Sequence, residues 1–166
     1  MSKKTLKLML AAVFVAAAFG VTALRVAWAT APKGFSSTVL AGPVVLDDID
    51  IVSQTPAHGV MIKTRGLSDS YVVQVRIVPG GDSGWHSHPG PVFVLITAGT
   101  ATEYEADDPT FTPNVYHAGT GFVEDVGNTH IVRNEGNTDL VLVAFFLVPH
   151  GEPRRIDEPA PPDSPF

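Results

Sequence analysis

Two histidines, His86 and His88, lie two residues apart in this sequence and could bind a metal together. Residues two apart in a strand point to the same side, so the imidazoles of His86 and His88 can share one ion. The other interpretation of this pair is two polar residues on a wet strand face. The chain has six histidines and no cysteine, so any metal site must use imidazole and carboxylate ligands.

The glycines around these histidines have a regular spacing. Gly80 lies six residues before His86, Val92 lies four residues after His88, and Gly99 follows seven residues later. A second set runs from Gly119 through Asp125-Val126-Gly127 to His130 and Asn134. Both sets, in this order, resemble the two motifs of the cupin superfamily. The resemblance covers roughly residues 71–148.

The resemblance implies a fold and a cofactor. It implies an all-β, single-domain cupin-type double-stranded β-helix, which is a jelly-roll barrel. It also implies that His86, His88 and His130 converge inside the barrel on a divalent transition metal. Imidazole suits Fe, Zn, Mn, Ni or Cu, and nothing in the sequence selects among them.

The sequence departs from the cupin motifs at two positions. Asp125 replaces the proline of the second motif, which we interpret as a change of turn only. Val92 replaces the glutamate that is usually the fourth ligand in the family. The metal is then expected to be held by three histidines alone, as in the three-His cupin dioxygenases that the chain resembles.

Glu103 and Glu105 are candidates to replace the missing carboxylate as a ligand or to act as a catalytic base. If Ala98-Gly99 is a two-residue hairpin turn, Val92 lies opposite Glu105, and cross-strand partners share a face. Both glutamates would then point into the barrel near the metal. A register error of one residue would instead send both to solvent.

The rest of the mature region also predicts an all-β fold. Short strand-like runs recur between turns rich in Gly and Pro, and no long stretch has helical apolar spacing. We place the barrel at residues 36–150. The Pro-rich C-terminal tail, residues 151–166, is expected to be extended and mostly unpacked, or draped on a neighbouring molecule. The strand Leu140–Val148 is apolar throughout, which predicts that both faces are covered. The second layer could be the N-terminal segment or another subunit, and we expect a homodimer.

Residues 1–29 are typical of a secretory signal peptide. Three lysines precede an apolar stretch from Leu8 to Leu24, and Ala27-Trp28-Ala29 forms a cleavage signal. The other interpretation is an uncleaved membrane anchor, because 17 apolar residues are at the short edge of what spans a bilayer. We therefore expect an exported protein, periplasmic or secreted, that meets the membrane only through this segment if it remains uncleaved.

The charge beyond residue 29 argues against nucleic acid as a partner. Four of the eleven basic residues lie within residues 1–29, whereas all 17 acidic residues follow, which leaves a net charge of −10. Such a domain repels phosphate backbones.

The expected partner is a small molecule, and two functions remain open. One is a metal-dependent enzyme, dioxygenase-like or an isomerase, that acts on a small oxygen-bearing molecule. The other is a non-catalytic module that binds a metal or small molecule.

Overall fold

The computed structural model describes residues 28–166, which contain twelve β-strands and no helix. Within this range no helix is long and apolar enough to cross a membrane. The predicted apolar stretch Leu8–Leu24 lies outside the described residues. The strands are β1 (Lys33–Leu46), β2 (Asp50–Gln54), β3 (Gly59–Lys63), β4 (Ser68–Asp82), β5 (His86–Ser87), β6 (Val92–Ala98), β7 (Thr100–Glu105), β8 (Asn114–His117), β9 (Gly121–Glu124), β10 (His130–Arg133), β11 (Leu140–Pro149) and β12 (Ile156–Asp157).

Ten of these strands form one nearly closed antiparallel sheet. On one side β1, β4, β11, β6 and β9 are neighbours in that order, and on the other β12, β5, β10, β7 and β8. Strand β4 joins the two sides where Asp82 pairs with Arg133 of β10. Strands β2 and β3 form a separate hairpin. The predicted all-β jelly-roll fold is confirmed.

The barrel interior is filled by alternate residues of β4, β6 and β11. Val73, Val94 and Leu142 are examples, each at most 5% exposed. In β11 the intervening residues Val141, Val143 and Phe145 point outward and are half-buried. The apolar run therefore has one face in the core, while its second face is only partly covered by described residues.

Strands β6 and β7 do not form the predicted hairpin. Strand β6 pairs with β11 and β9, whereas β7 pairs with β10 and β8, so the chain changes sides at Gly99. Gly99 has a φ of +74°, and a Cβ there would lie 2.5 Å from the carbonyl oxygen of Asp139. Only glycine fits this corner. The predicted pairing of Val92 with Glu105 is therefore wrong.

The C-terminal tail folds back onto its own barrel, which differs from the expectation of a mostly unpacked segment. Its strand β12 pairs with β5 along the edge of the sheet. Beyond it, Pro159 forms a bridge with Ala29, and the ring of Phe166 lies 4.4 Å from that of Tyr104. The tail thereby brings backbone groups close to His86 and His88.

Candidate metal centre

The pairing of two short strands brings the three histidines together. His86 of β5 lies directly opposite His130 of β10, so their side chains share a face, and His88 follows two residues later. Ring centroids are 4.4 Å apart for His86 and His130, and 4.8 Å apart for His86 and His88. One ring nitrogen from each of the three lies within 4.8 Å of the others, and all three residues are buried. These histidines could hold one metal ion.

Backbone carbonyls fix the orientation of all three imidazoles. Because a carbonyl only accepts, each Nδ1 must be the protonated nitrogen, and each Nε2 of the neutral ring carries the lone pair that binds a metal. The Nδ1 atoms of His86, His88 and His130 lie 2.9, 2.6 and 3.0 Å from the carbonyl oxygens of Gly84, Arg154 and Asn128, respectively.

Glu124 joins the three histidines, and the sequence analysis missed it. Strand β9 pairs with β6 so that Glu124 lies directly opposite Val92, the position where the cupin motif has its glutamate. The Oε2 atom of Glu124 is 3.2 Å from Nε2 of His88, and Oε1 is 3.2 Å from Nε2 of His130. A carboxylate from the neighbouring strand therefore lies beside two of the three histidines. The signal in the sequence was an acidic residue directly after the apolar pair Phe122-Val123, followed by Asp125.

The donor atoms of this cluster fit a cation. Because each Nδ1 donates to a carbonyl, the Nε2 lone pairs of His88 and His130 face the two carboxylate oxygens of Glu124. These nitrogens and oxygens are all hydrogen-bond acceptors, and they repel one another. Nε2 of His130 is buried and has no hydrogen-bond partner among the described residues. Such an arrangement is costly in a dry interior unless a proton or a metal ion lies between the acceptors. Imidazole and carboxylate together suit a divalent transition metal.

The pKa shifts follow from this arrangement. Burial raises the pKa of Glu124, but His130 and His88 outweigh it and hold the pKa well below its usual range. Burial would lower the pKa of His130, yet the adjacent Glu124 carboxylate raises it. Burial, His130 and Arg155 lower the pKa of His86.

The two glutamates predicted near the metal have different positions. Glu103 is buried, and one of its oxygens lies within 4.8 Å of ligand atoms of Glu124 and His130. Burial, together with the charges of Glu124 and Glu105, raises its pKa to about 7, although His130 and Tyr116 oppose the shift. Glu105 lies opposite His130 on β10 but is only half-buried and belongs to neither group of potential ligands.

A cavity of about 70 Å³ adjoins the histidines. Most of its wall is apolar, and inward side chains of β4, β6 and β11 form much of it. Among the described lining residues, Arg155 is the one Arg or Lys side chain, and its Nη2 donates to the carbonyl oxygen of Ser83. The polar residues of the lining are Ser83, His86, His88, Glu124 and Arg155.

Comparisons with known proteins agree with this fold. Residues 73–152 match the family model described as "Cupin domain". No curated protein matches the sequence. Among solved structures, an oxalate oxidase in complex with glycolate is 24% identical, with a TM-score of 0.46, over 53% of this chain and 45% of that one. The chain thus spans about half the length of the oxalate oxidases that it matches.

Two further solved structures match with similar sequence identities and TM-scores. An uncharacterised conserved protein with a double-stranded β-helix domain from Klebsiella pneumoniae is 20% identical over 68% of this chain and 85% of that one, with a TM-score of 0.46. A predicted oxalate decarboxylase from Thermotoga maritima is 21% identical over 51% and 83%, respectively, with a TM-score of 0.41. No conclusion about this chain follows from these three likenesses, because each TM-score is below 0.5.

The family match spans strands β4 to β11, which carry both histidine motifs and most of the ten-stranded sheet. The chain therefore belongs to the cupin superfamily.

Proposed function

We propose that this cupin binds one divalent transition metal through His86, His88, His130 and Glu124, and that the site is a metal-dependent oxidoreductase centre for a small oxygen-bearing molecule. The observation that carries the proposal is the convergence of three buried imidazoles, with the Glu124 carboxylate 3.2 Å from two of them. When bound, a redox-active metal supplies electron transfer to dioxygen, and a redox-inert metal polarises an oxygen of the ligand. The protein's own residues supply the remaining functions.

Arg155 is the group that we expect to orient an oxygen anion in the cavity. A guanidinium has five N–H donors in a planar fork that matches carboxylate oxygens. Two of them are engaged, by the Ser83 carbonyl and by Asp157 at 2.5 Å. The apolar walls, which include Val94 and Phe146, exclude water around the ligand. The cavity volume of about 70 Å³ is roughly half that of a cavity that holds benzene, so the ligand has only a few heavy atoms.

Glu103 is the proton-holding group of the proposed site. A carboxyl with a pKa of about 7 can exchange a proton at neutral pH, and Glu103 lies beside Glu124 and His130. We assign the predicted acid–base role to Glu103 rather than to the half-buried Glu105. Glu105→Gln then serves as the matched control, because it changes a carboxylate of the same strand outside the proposed ligand set.

The first test of this function measures metal binding and then turnover. Purified protein is stripped with chelator, loaded separately with Fe²⁺, Mn²⁺ and Zn²⁺, and its metal content is measured. We expect one metal per chain in the wild type and in Glu105→Gln, and a loss of metal in His88→Ala. Oxygen uptake on a panel of small diketones and small hydroxy acids should vanish in His88→Ala. A wild type that binds none of the three metals would rule the proposal out.

The second candidate is a non-catalytic module that binds a metal or small molecule. A four-donor set leaves fewer open positions than the three-His set expected from the sequence, which favours retention of the metal over chemistry on it. Tight binding of one metal, with no oxygen uptake and no conversion of any panel member, would identify this function.

A second copy of the chain is the partner that we propose for the outer face of β6, β9 and β11. Phe93, Leu95 and Val123 are 41%, 57% and 53% exposed there, and Phe93 packs against the half-buried Phe145. A contiguous apolar patch of this kind is unusual on a monomer. Light scattering should show a dimer in the wild type and a monomer in Leu95→Lys, and a monomeric wild type at micromolar concentration would contradict it.

A further inference from the structure

The three histidines differ in where their orienting carbonyls come from. The partners of His86 and His130 are Gly84 and Asn128, each two residues earlier in the same loop. The partner of His88 is the carbonyl of Arg154, 66 residues later in the C-terminal tail, at 2.6 Å. Two of the rings are therefore oriented by their own loops, whereas the third depends on a separate segment of the chain.

The tail is fixed at this place by contacts on both sides of Arg154. On the N-terminal side, the Asp69 carboxylate accepts from the backbone N–H of Gly151 and pairs with His150. On the C-terminal side, β12 pairs with β5, so that Asp157 lies opposite His86 itself. The side chain of Ser87, between the two histidines, donates to Glu158 at 2.9 Å.

The side chains of the tail also reach the site. The guanidinium of Arg154 lies 5.3 Å from the ring centroid of Tyr71 and 5.7 Å from that of Phe146, which itself packs edge-on against His88. Arg155 continues into the cavity wall. The segment Arg154–Glu158 thus contacts His88 directly through the Arg154 carbonyl. It also acts on His88 indirectly, through the ring of Phe146 and through β5, the strand that precedes His88.

We propose that the segment Arg154–Glu158 supports the metal centre, with Arg154 as the positioning residue of His88. Docking of this segment on the barrel should then increase the affinity for the metal, and binding of the metal should stabilise the docked segment. This inference rests on the proposed metal site. Partners that orient a ligating histidine typically contribute 10–100-fold to metal affinity. Because coupling between two binding events is reciprocal, the metal must favour tail docking by the same factor.

Two truncations of the full-length protein test whether the docked tail increases the affinity for the metal. One ends at Glu152 and lacks the whole segment. The matched control ends at Pro159, keeps the segment and its bridge to Ala29, and lacks only residues 160–166. Zn²⁺ affinity is measured by competition with a chelator, and circular dichroism and thermal unfolding check that each chain folds. We expect a Zn²⁺ dissociation constant 10–100-fold higher for the chain ending at Glu152, and a change below about threefold for the control.

Hydrogen exchange on the intact chain tests whether the metal stabilises the docked tail, and this test does not require that the truncated chain folds. Saturating Zn²⁺ should slow exchange of the Glu158 amide, which donates to the Trp85 carbonyl, by the same 10–100-fold. Unchanged exchange in the intact chain overturns the inference, as does a folded Glu152 truncation with wild-type Zn²⁺ affinity. A full-length chain that binds no metal refutes the proposed function first, and the coupling with it.

Discussion

Exchanging the side chains of Val92 and Glu124 would move the buried carboxylate across one strand pair while it keeps facing the histidines. These residues are direct partners on β6 and β9, and the Cβ atoms of such partners are about 4.5–5.5 Å apart. If Glu124 replaces the family's glutamate, either position should serve a metal bound to His88 and His130. The exchange therefore separates the need for a carboxylate from the need for Glu124 itself.

The two single variants set the scale of the effect. Glu124→Val removes one of four donors, and we expect at least a 100-fold loss of Zn²⁺ affinity, about 2.8 kcal/mol at 1.4 kcal/mol per tenfold. Val92→Glu adds a second carboxylate beside Glu124, which is only 8% exposed. Two like charges in such a site destabilise the metal-free fold by several kcal/mol or force one of them to take up a proton.

The double variant Val92→Glu/Glu124→Val should recover Zn²⁺ affinity to within about tenfold of the wild type. Chelator competition measures the affinity, and thermal unfolding of the metal-free proteins confirms that all four chains fold. Glu105→Gln, on β7, is the control. An affinity within threefold of the wild type in Glu124→Val would refute our assignment of this carboxylate.

Two other predictions concern pH and maturation. The Glu103 carboxyl has a folded-state pKa of about 7, above the ordinary value of 4.5, so folding favours its protonated form and its contribution to stability falls as pH rises from 4.5 to 7. Above pH 7 the buried Glu103 carboxylate lowers the free energy of unfolding by about 3 kcal/mol, at 1.36 kcal/mol per pKa unit. The metal-free Glu103→Gln variant should therefore exceed the wild type in thermal stability at pH 8 and lose this advantage near pH 5. Equal pH dependence of the two proteins would contradict the buried position of Glu103. Cleavage after Ala29 predicts that the exported protein begins at Thr30, which intact mass spectrometry measures, and a mass that includes residues 1–29 would favour the membrane anchor.

Much of the fold was accessible from the sequence because it follows from local patterns. The continuous apolar run Leu140–Val148 located β11. The glycine and histidine spacing of the two motifs identified the cupin barrel. Strands β5 and β12 have two residues each and were missed, because two residues cannot display a period.

The parts of the site that were missed depend on pairings between distant segments. The position of Glu124 depends on β9 lying beside β6, and the sequence suggested β7 as that neighbour. The corner at Gly99 looks like a hairpin turn until the backbone of Asp139 is placed against it. Likewise, the hydrogen bond from His88 to Arg154 spans 66 residues, and a backbone carbonyl leaves no trace in residue type.

The most direct test of the central claim is X-ray absorption spectroscopy of the Zn²⁺-loaded wild-type protein. We predict a four-coordinate ion with three imidazole nitrogens and one carboxylate oxygen, at about 2.0–2.2 Å. The carboxylate contribution should disappear in Glu124→Val and the imidazole count should fall in His130→Ala. A zinc ion with fewer than three imidazole ligands in the wild type would contradict the account.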